Sequence, residues 1–457
     1  MVASRPARVQ DMAPEKATPR DSRRHVALVA WGFPPSRASG VYRALALANA
    51  FVEGGASVTV VTADEHYFQL VTGTDDSLVA HIHPAVEVVR VPYEPGRLDP
   101  VISRWPRDRV ERPGDFRRDV TAHETAYFPE RLYGPWRPAL EQAIHDLHQH
   151  SPIDVVVATG NPYTSYAAAA HLSANFNVPY VLDDRDGWLM NVYTGKARED
   201  LLDAEIWVRG LLEQSLESWF VNPPIVKWHQ DRFPLAAAKI YSVENGWDGT
   251  LLDPSLTARQ GLGPPRLGYI GTINAGFPLD VMIDGWREAR GRTIPDDAEL
   301  HLFGPVGYQH SAAHHERLLN SARKQGVVRR GGWPKARIAE AYAELDVLLY
   351  AREGGPMITT GKIYEYLATG KPIAVVSDAT QDSRRVLTGY ERAFIARTQD
   401  PADVAVAYGA AFTDALNETP VRLAQARAFG ARLRRDHAVA PAVRRVLDRI
   451  GADQVGA

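Results

Sequence analysis

Short apolar, β-prone runs recur along this chain, and helical stretches separate most of them. That alternation constrains the fold more than any other feature. His25-Val-Ala-Leu-Val-Ala-Trp31 opens the series, and the turn Gly32 to Gly40 follows it. Val41 to Glu53 then reads as a helix, with Leu45, Ala48, Asn49 and Val52 at helical spacing, stopped by Gly54-Gly55. Ser57-Val-Thr-Val-Val-Thr62 is the next strand. Runs with no polar alternation suit parallel strands covered on both faces. Strand, crossover and strand in this order imply a parallel sheet with right-handed connections.

Further strands are expected at Asp154 to Ala158, Pro179 to Asp183, Ser218 to Asn222 and Lys239 to Val243. Helices are expected at Ser165 to Ala174 and Leu211 to Glu217. Pro92 to Trp136 breaks the rhythm with many prolines and arginines and reads as a long insertion beside the sheet. Asp253 to Pro265, rich in Gly and Pro, is the best linker candidate. After it the pattern repeats. Strands fall at Arg266 to Ile270, Glu299 to Phe303, Val327 to Gly331, Val347 to Tyr350 and Pro372 to Val376. Helices fall at Leu279 to Arg290, His315 to Lys324, Ala336 to Glu344 and Lys362 to Ala368. A helical tail runs from Val421 to Ile450. The expected fold is α/β with two doubly wound halves.

The 457 residues leave room for two or three domains. A net charge of −3 argues against a nucleic-acid partner on bulk charge. The chain has no cysteine, which excludes disulfides, thiolate metal sites and a cysteine nucleophile, and fits a reducing cytoplasm. No apolar run approaches the ~18 residues of a membrane span. Met1 to Arg24 is polar and basic and reads as a disordered leader. Domains are expected over 25–250, including the insertion at about 92–136, and over 264–425. Residues 426–457 form a terminal helix.

In facing α/β domains the ligand crevice lies beyond the carboxyl ends of the strands, so loops just after strands are informative. Gly32 to Gly40 enters a helix and carries Arg37 and Gly40, either as a plain turn or as an acceptor-side lining. Asp183-Asp184-Arg185-Asp186-Gly187-Trp188 sets a charged cluster directly after an apolar strand. Arg185 is expected to pair with Asp184 or Asp186 and hold a carboxylate toward the cleft. Gly268 to Gly276 offers Gly271 and Thr272 as a nest for a diphosphate. Glu353 to Pro372 feeds a helix whose first turn carries Lys362, with Glu365 on the same side. A carboxylate at Glu365 can accept both hydroxyls of a ribose. No Asp-x-Asp pair sits where it would hold a metal beside a diphosphate.

These residues resemble a GT-B fold glycosyltransferase, most closely the retaining family 4 type. The resemblance rests on Gly331-Gly-Trp-Pro-Lys335, Glu340-Ala-Tyr342, Leu345 to Tyr350 and Lys362-Ile-Tyr-Glu365-Tyr-Leu-Ala-Thr-Gly-Lys-Pro372. Asn245-Gly-Trp-Asp248 and Asp183 to Trp188 add to it, and it spans roughly Val26 to Leu387. It implies two Rossmann-like domains facing across a cleft, with the terminal helix crossing back to the first. It also implies transfer of a sugar from a nucleotide-diphosphate donor to an acceptor hydroxyl, with no cofactor and no metal.

By the same resemblance, Glu365 binds the ribose and Trp333 lies near the base. Gly271, Thr272 and Lys362 address the diphosphate. The loop of Glu353, Ile358 and Thr359 meets the sugar, and Lys362, Arg185 and Asp186 are the catalytic candidates. Arg37, Gly40 and Asp184 are acceptor-side candidates. Family members commonly carry a second glutamate at the position that is Met357 here. The acceptor is a glycan, a lipid-linked or a small molecule. The expected location is cytoplasmic, with the arginine-rich insertion either solvated or against the inner face of a membrane. The rival readings are a sugar-nucleotide epimerase and a non-catalytic nucleotide-sugar or carbohydrate binder. Nothing in the sequence reports an oligomeric state.

Overall fold

The computed structural model describes residues 23–93, 101–259, 263–274, 277–307, 313–352, 355, 357–377 and 382–455. Of the expected leader only Arg23 and Arg24 are among them. The first sheet has seven parallel strands: β1 (His25–Val29), β2 (Ser57–Ala63), β3 (Val86–Val91), β4 (Val155–Gly160), β5 (Tyr180–Asp184), β6 (Glu217–Phe220) and β7 (Ile240–Ser242). Their order is β3-β2-β1-β4-β5-β6-β7. The second sheet has six: β8 (Arg266–Ile270), β9 (Glu299–Phe303), β10 (Val327–Gly331), β11 (Val347–Arg352), β12 (Ile373–Ser377) and β13 (Ala393–Ile395), ordered β10-β9-β8-β11-β12-β13.

The apolar runs become the central strands because both their faces are covered. Leu28 lies opposite Val60 on one side and Val157 on the other, and all three are buried. Helices on each face complete separate apolar cores for each sheet. Each strand order reverses once, between β1 and β4 and between β8 and β11. There the neighbouring loops diverge and open a crevice at the carboxyl ends. The loops after β1, β5, β8 and β11 are those that the sequence singles out.

Several expectations change. β3 and β13 escape the sequence reading, and each lies at a sheet edge. Val86-Glu-Val-Val-Arg-Val91 is only half covered and so lacks a continuous apolar run. Among its described residues the insertion holds the α-helices Arg107–Glu111 and Pro113–Tyr127 and a short 3-10 turn, Ile102–Arg104. Pro106 caps the first and Pro113 opens the second, positions where a missing N–H leaves no helical bond unmade, so these prolines start helices. The helix expected at Leu211 to Glu217 is Leu202–Gln214 instead, and Glu217 lies buried in β6. There it accepts from the Trp219 indole at 2.7 Å and pairs with Arg445 at 3.0 Å.

The expected tail helix is broken into Pro420–Ala431 and Arg435–Val455. At the break the chain pairs with Trp247, whose N–H donates to the Leu433 carbonyl at 3.1 Å and whose carbonyl accepts from Arg435 N–H at 2.7 Å. Those bonds replace helical ones and turn the chain. The last helix then crosses to the first domain, where Val439, Val443, Val446 and Ile450 join the core with Val26, Leu28, Leu45 and Phe51. Among the described residues no helix is long and apolar enough to cross a membrane.

Candidate functional site

The carboxyl ends of the two sheets face each other across a cleft of about 1000 Å³. Its C-terminal wall is built around helix Gly361–Thr369. The helix begins at Thr360 with no side-chain cap, so its leading N–H groups open toward the cleft beside Lys362. The Lys362 ammonium lies 5.1 Å from the centre of the Tyr269 ring. It also lies so close to Gly271 that a Cβ there would overlap it. A side chain at Gly271 would have to push the flexible end of Lys362 aside. Thr272 lines the same wall, and its carbonyl accepts from the Tyr269 hydroxyl at 3.2 Å.

Glu365 follows on the same helix face and is half-buried. Its Oε1 pairs with the Lys335 ammonium, and its Oε2 accepts from the Tyr342 hydroxyl at 2.8 Å. Burial pushes its carboxyl upward, but the Lys335 and Lys362 charges and the Tyr342 hydrogen bond outweigh that and hold it below the usual glutamate range. The group is therefore an ionised acceptor facing the cleft. Lys335 also lies 5.4 Å from the ring centre of Tyr42, which comes from the first domain. Trp333, Ile358 and Thr359 line the cleft as well, Trp333 edge-on to Phe303 at 5.5 Å. Glu353 lies outside the described residues.

The N-terminal wall carries Arg37, Arg185 and Asp186. The expected pairing of Arg185 with a carboxylate is replaced by bonds to backbone. Its guanidinium donates to the Gly160 carbonyl at 3.0 Å and the Asn161 carbonyl at 2.6 Å. Gly40 packs flat against that guanidinium, where a side chain would collide with it. Asp184 does not line the cleft. It is buried and accepts the N–H groups of Asp186 at 3.0 Å, Gly187 at 2.7 Å and Trp188 at 3.4 Å, which shapes the loop that presents Asp186. Burial, with the Asp186 charge nearby, pushes the Asp184 carboxyl up to about 7. Among the described residues no group of three or more His, Asp or Glu side chains is arranged to hold a metal ion.

Several site residues were not legible beforehand. Arg43 sits inside an apolar helix pattern yet is buried and grips Asp183 through Nε at 2.8 Å and Nη2 at 2.6 Å. Arg435, from the returning helix, donates to the Asn245 carbonyl at 2.7 Å and lines the cleft. Nothing local in the sequence ties it to a loop almost two hundred residues earlier. Lys335 and Tyr342 lie inside the motifs that carry the resemblance, and their spacing before a helix with a glutamate was the available signal.

No family profile and no curated protein matches the sequence. Solved structures match it along nearly its whole length. Sucrose-phosphate synthase from Thermosynechococcus elongatus is 16% identical with a TM-score of 0.59, covering 95% of this chain and 100% of that one. Anabaena HepE, solved in complex with UDP, is 15% identical with a TM-score of 0.59, covering 93% and 100%. A UDP-N-acetylglucosamine 2-epimerase is 11% identical with a TM-score of 0.50, covering 93% and 95%. The chain thus has the GT-B fold, two parallel-sheet Rossmann-like domains facing across a cleft, with a final helix that returns to the first.

Proposed function

We propose that this chain is a glycosyltransferase. It moves a sugar from a nucleoside-diphosphate donor to an acceptor hydroxyl, with retention and without a bound metal. One observation carries the reading: Lys362 on an open helix N-terminus, the close-packed Gly271 and the ionised Glu365 converge on one wall of the cleft. The spacing suits a nucleoside diphosphate. The ribose hydroxyls donate to Glu365, and the diphosphate lies against helical N–H groups and Lys362. As the glycosidic bond breaks, charge gathers on the leaving diphosphate. Donors already aimed at it lower the barrier without reorganising. Lys362 supplies the charge a metal would otherwise bring. Arg185 and Asp186 on the opposite wall orient the acceptor hydroxyl toward the donor sugar. Arg37 lies on that wall too, and Asp184 acts by shaping the loop.

A thermal-shift screen with UDP, GDP, TDP, ADP and their common sugar conjugates, with and without EDTA, tests the reading. A shift with one base that persists in EDTA and is lost in Glu365→Ala is the expected outcome. No shift with any nucleotide would count against the donor site, and a shift abolished by EDTA against metal independence. An epimerase is the second reading, favoured by the structural likeness to a UDP-N-acetylglucosamine 2-epimerase. It would release an isomerised sugar with no acceptor present.

A further inference from the structure

Residues 355 and 357–359 lie in the loop after β11, which the family resemblance brings to the donor sugar, and they are held from the other domain. Three contacts hold them. Gly355 presses on the Tyr193 backbone so closely that a Cβ would overlap it. Met357, standing where the family's second glutamate is expected, packs its side chain against the apolar core of the first domain. Asn222, fully buried at the end of β6, donates from its amide to the Met357 carbonyl at 2.8 Å and to the Thr359 hydroxyl at 3.1 Å. The same Asn222 caps helix Pro223–Arg232 with its amide oxygen, which accepts Ile225 N–H at 3.0 Å. Its side chain is therefore fixed at both ends.

The contact continues into the second domain. The Thr359 hydroxyl donates to buried Asp382, which Arg385 grips at 2.7 Å. Arg385 reaches back to Glu244 of the first domain at 2.9 Å, and Glu244 accepts from the Tyr364 hydroxyl at 2.6 Å. Every polar group in this relay is used, and a buried amide that loses its acceptors is left unsatisfied. The loop therefore has a strong preference for the docked arrangement over one detached from the first domain.

We propose that Asn222 is a positioning residue of the donor site and that Met357 is the plug of an interdomain latch. Closing the cleft and seating residues 357–359 are then one event. The carboxylate that the family uses at Met357 is replaced by an apolar anchor, and Ile358 and Thr359 are presented to the cleft by contacts made from the opposite domain. This rests on the donor-loop reading above, but the latch itself is a matter of conformation and is read without turnover.

The test compares the full chain with Asn222→Asp and Met357→Ala. Aspartate keeps the oxygen that caps the helix and removes the amide donor, so the fold is retained while the clamp is lost. Met357→Ala removes the plug from the other side. Small-angle X-ray scattering should show a larger radius of gyration for both variants, with cooperative unfolding retained at a lower melting temperature. Donor KM should rise about tenfold, the size of a typical coupling between linked sites, with acceptor KM unchanged. Scattering curves that superimpose on the parent's for both variants overturn the latch, whatever the activity. Opened variants with unchanged donor KM, in a protein that does bind nucleotide, overturn the positioning role of Asn222. Failure of the parent to bind any nucleotide counts against the transferase reading, and the scattering comparison still decides the latch.

Discussion

Asp183, Asp184 and Asp186 lie almost side by side in the chain and meet three different fates. Asp183 is buried and answered by Arg43. Asp186 stands in the cleft. Asp184 is buried against backbone N–H groups, and burial dominates its shift. Its folded-state pKa of about 7 stands above the ~3.9 of an unfolded aspartate. The stability it contributes is full below that unfolded value and is lost as pH rises through about 7. Glu130, half-buried and accepting from Tyr163 and Thr164, is also pushed up to about 7 and slopes the same way. Asp184→Asn removes one titration, while its amide oxygen still accepts from Asp186 and Gly187. Thermal unfolding from about pH 4 to about pH 8 should show a weaker decline in melting temperature for the variant. Parallel curves for the two proteins would show that Asp184 is ionised in the fold.

At the scale of elements, the helix Gly361–Thr369 carries most of the donor chemistry proposed here. Its N-terminus supplies N–H groups, its first turn supplies Lys362, and the next turn supplies Glu365. That division was legible because helical spacing alone puts these side chains on one face. The Lys335 contact with Glu365 was not, since it depends on how a short turn before helix Ile338–Ala343 packs on its neighbour. If Lys362 stabilises the leaving diphosphate, Lys362→Ala should lower kcat by about a hundredfold or more. A steady-state comparison separates this from a binding role: a change confined to donor KM would contradict it. The prolines of the insertion teach the same lesson in reverse. Their number suggests a loop, but their placement at helix starts decides.

At the scale of the molecule, the final helix belongs to the first domain although the chain has passed through the second to reach it. Ile450, almost fully buried in that first core, makes the point testable. Ile450→Ala should destabilise the first domain by about 2–4 kcal/mol. Amide exchange resolved by segment should show the loss in β1, β2 and β4, and an effect limited to the second sheet would contradict the packing. Local patterning was enough for the parallel strands, the two halves and the loops that line the cleft: continuous apolar runs for doubly covered strands, and glycine and charge immediately beyond them. Packing between distant segments set which charges pair and which carboxylate turns inward, and it joined Asn222 of the first domain to the Met357 carbonyl of the second. Such contacts join residues more than a hundred positions apart. They are set by how two sheets and a returning helix pack together, and no periodicity along the chain records that.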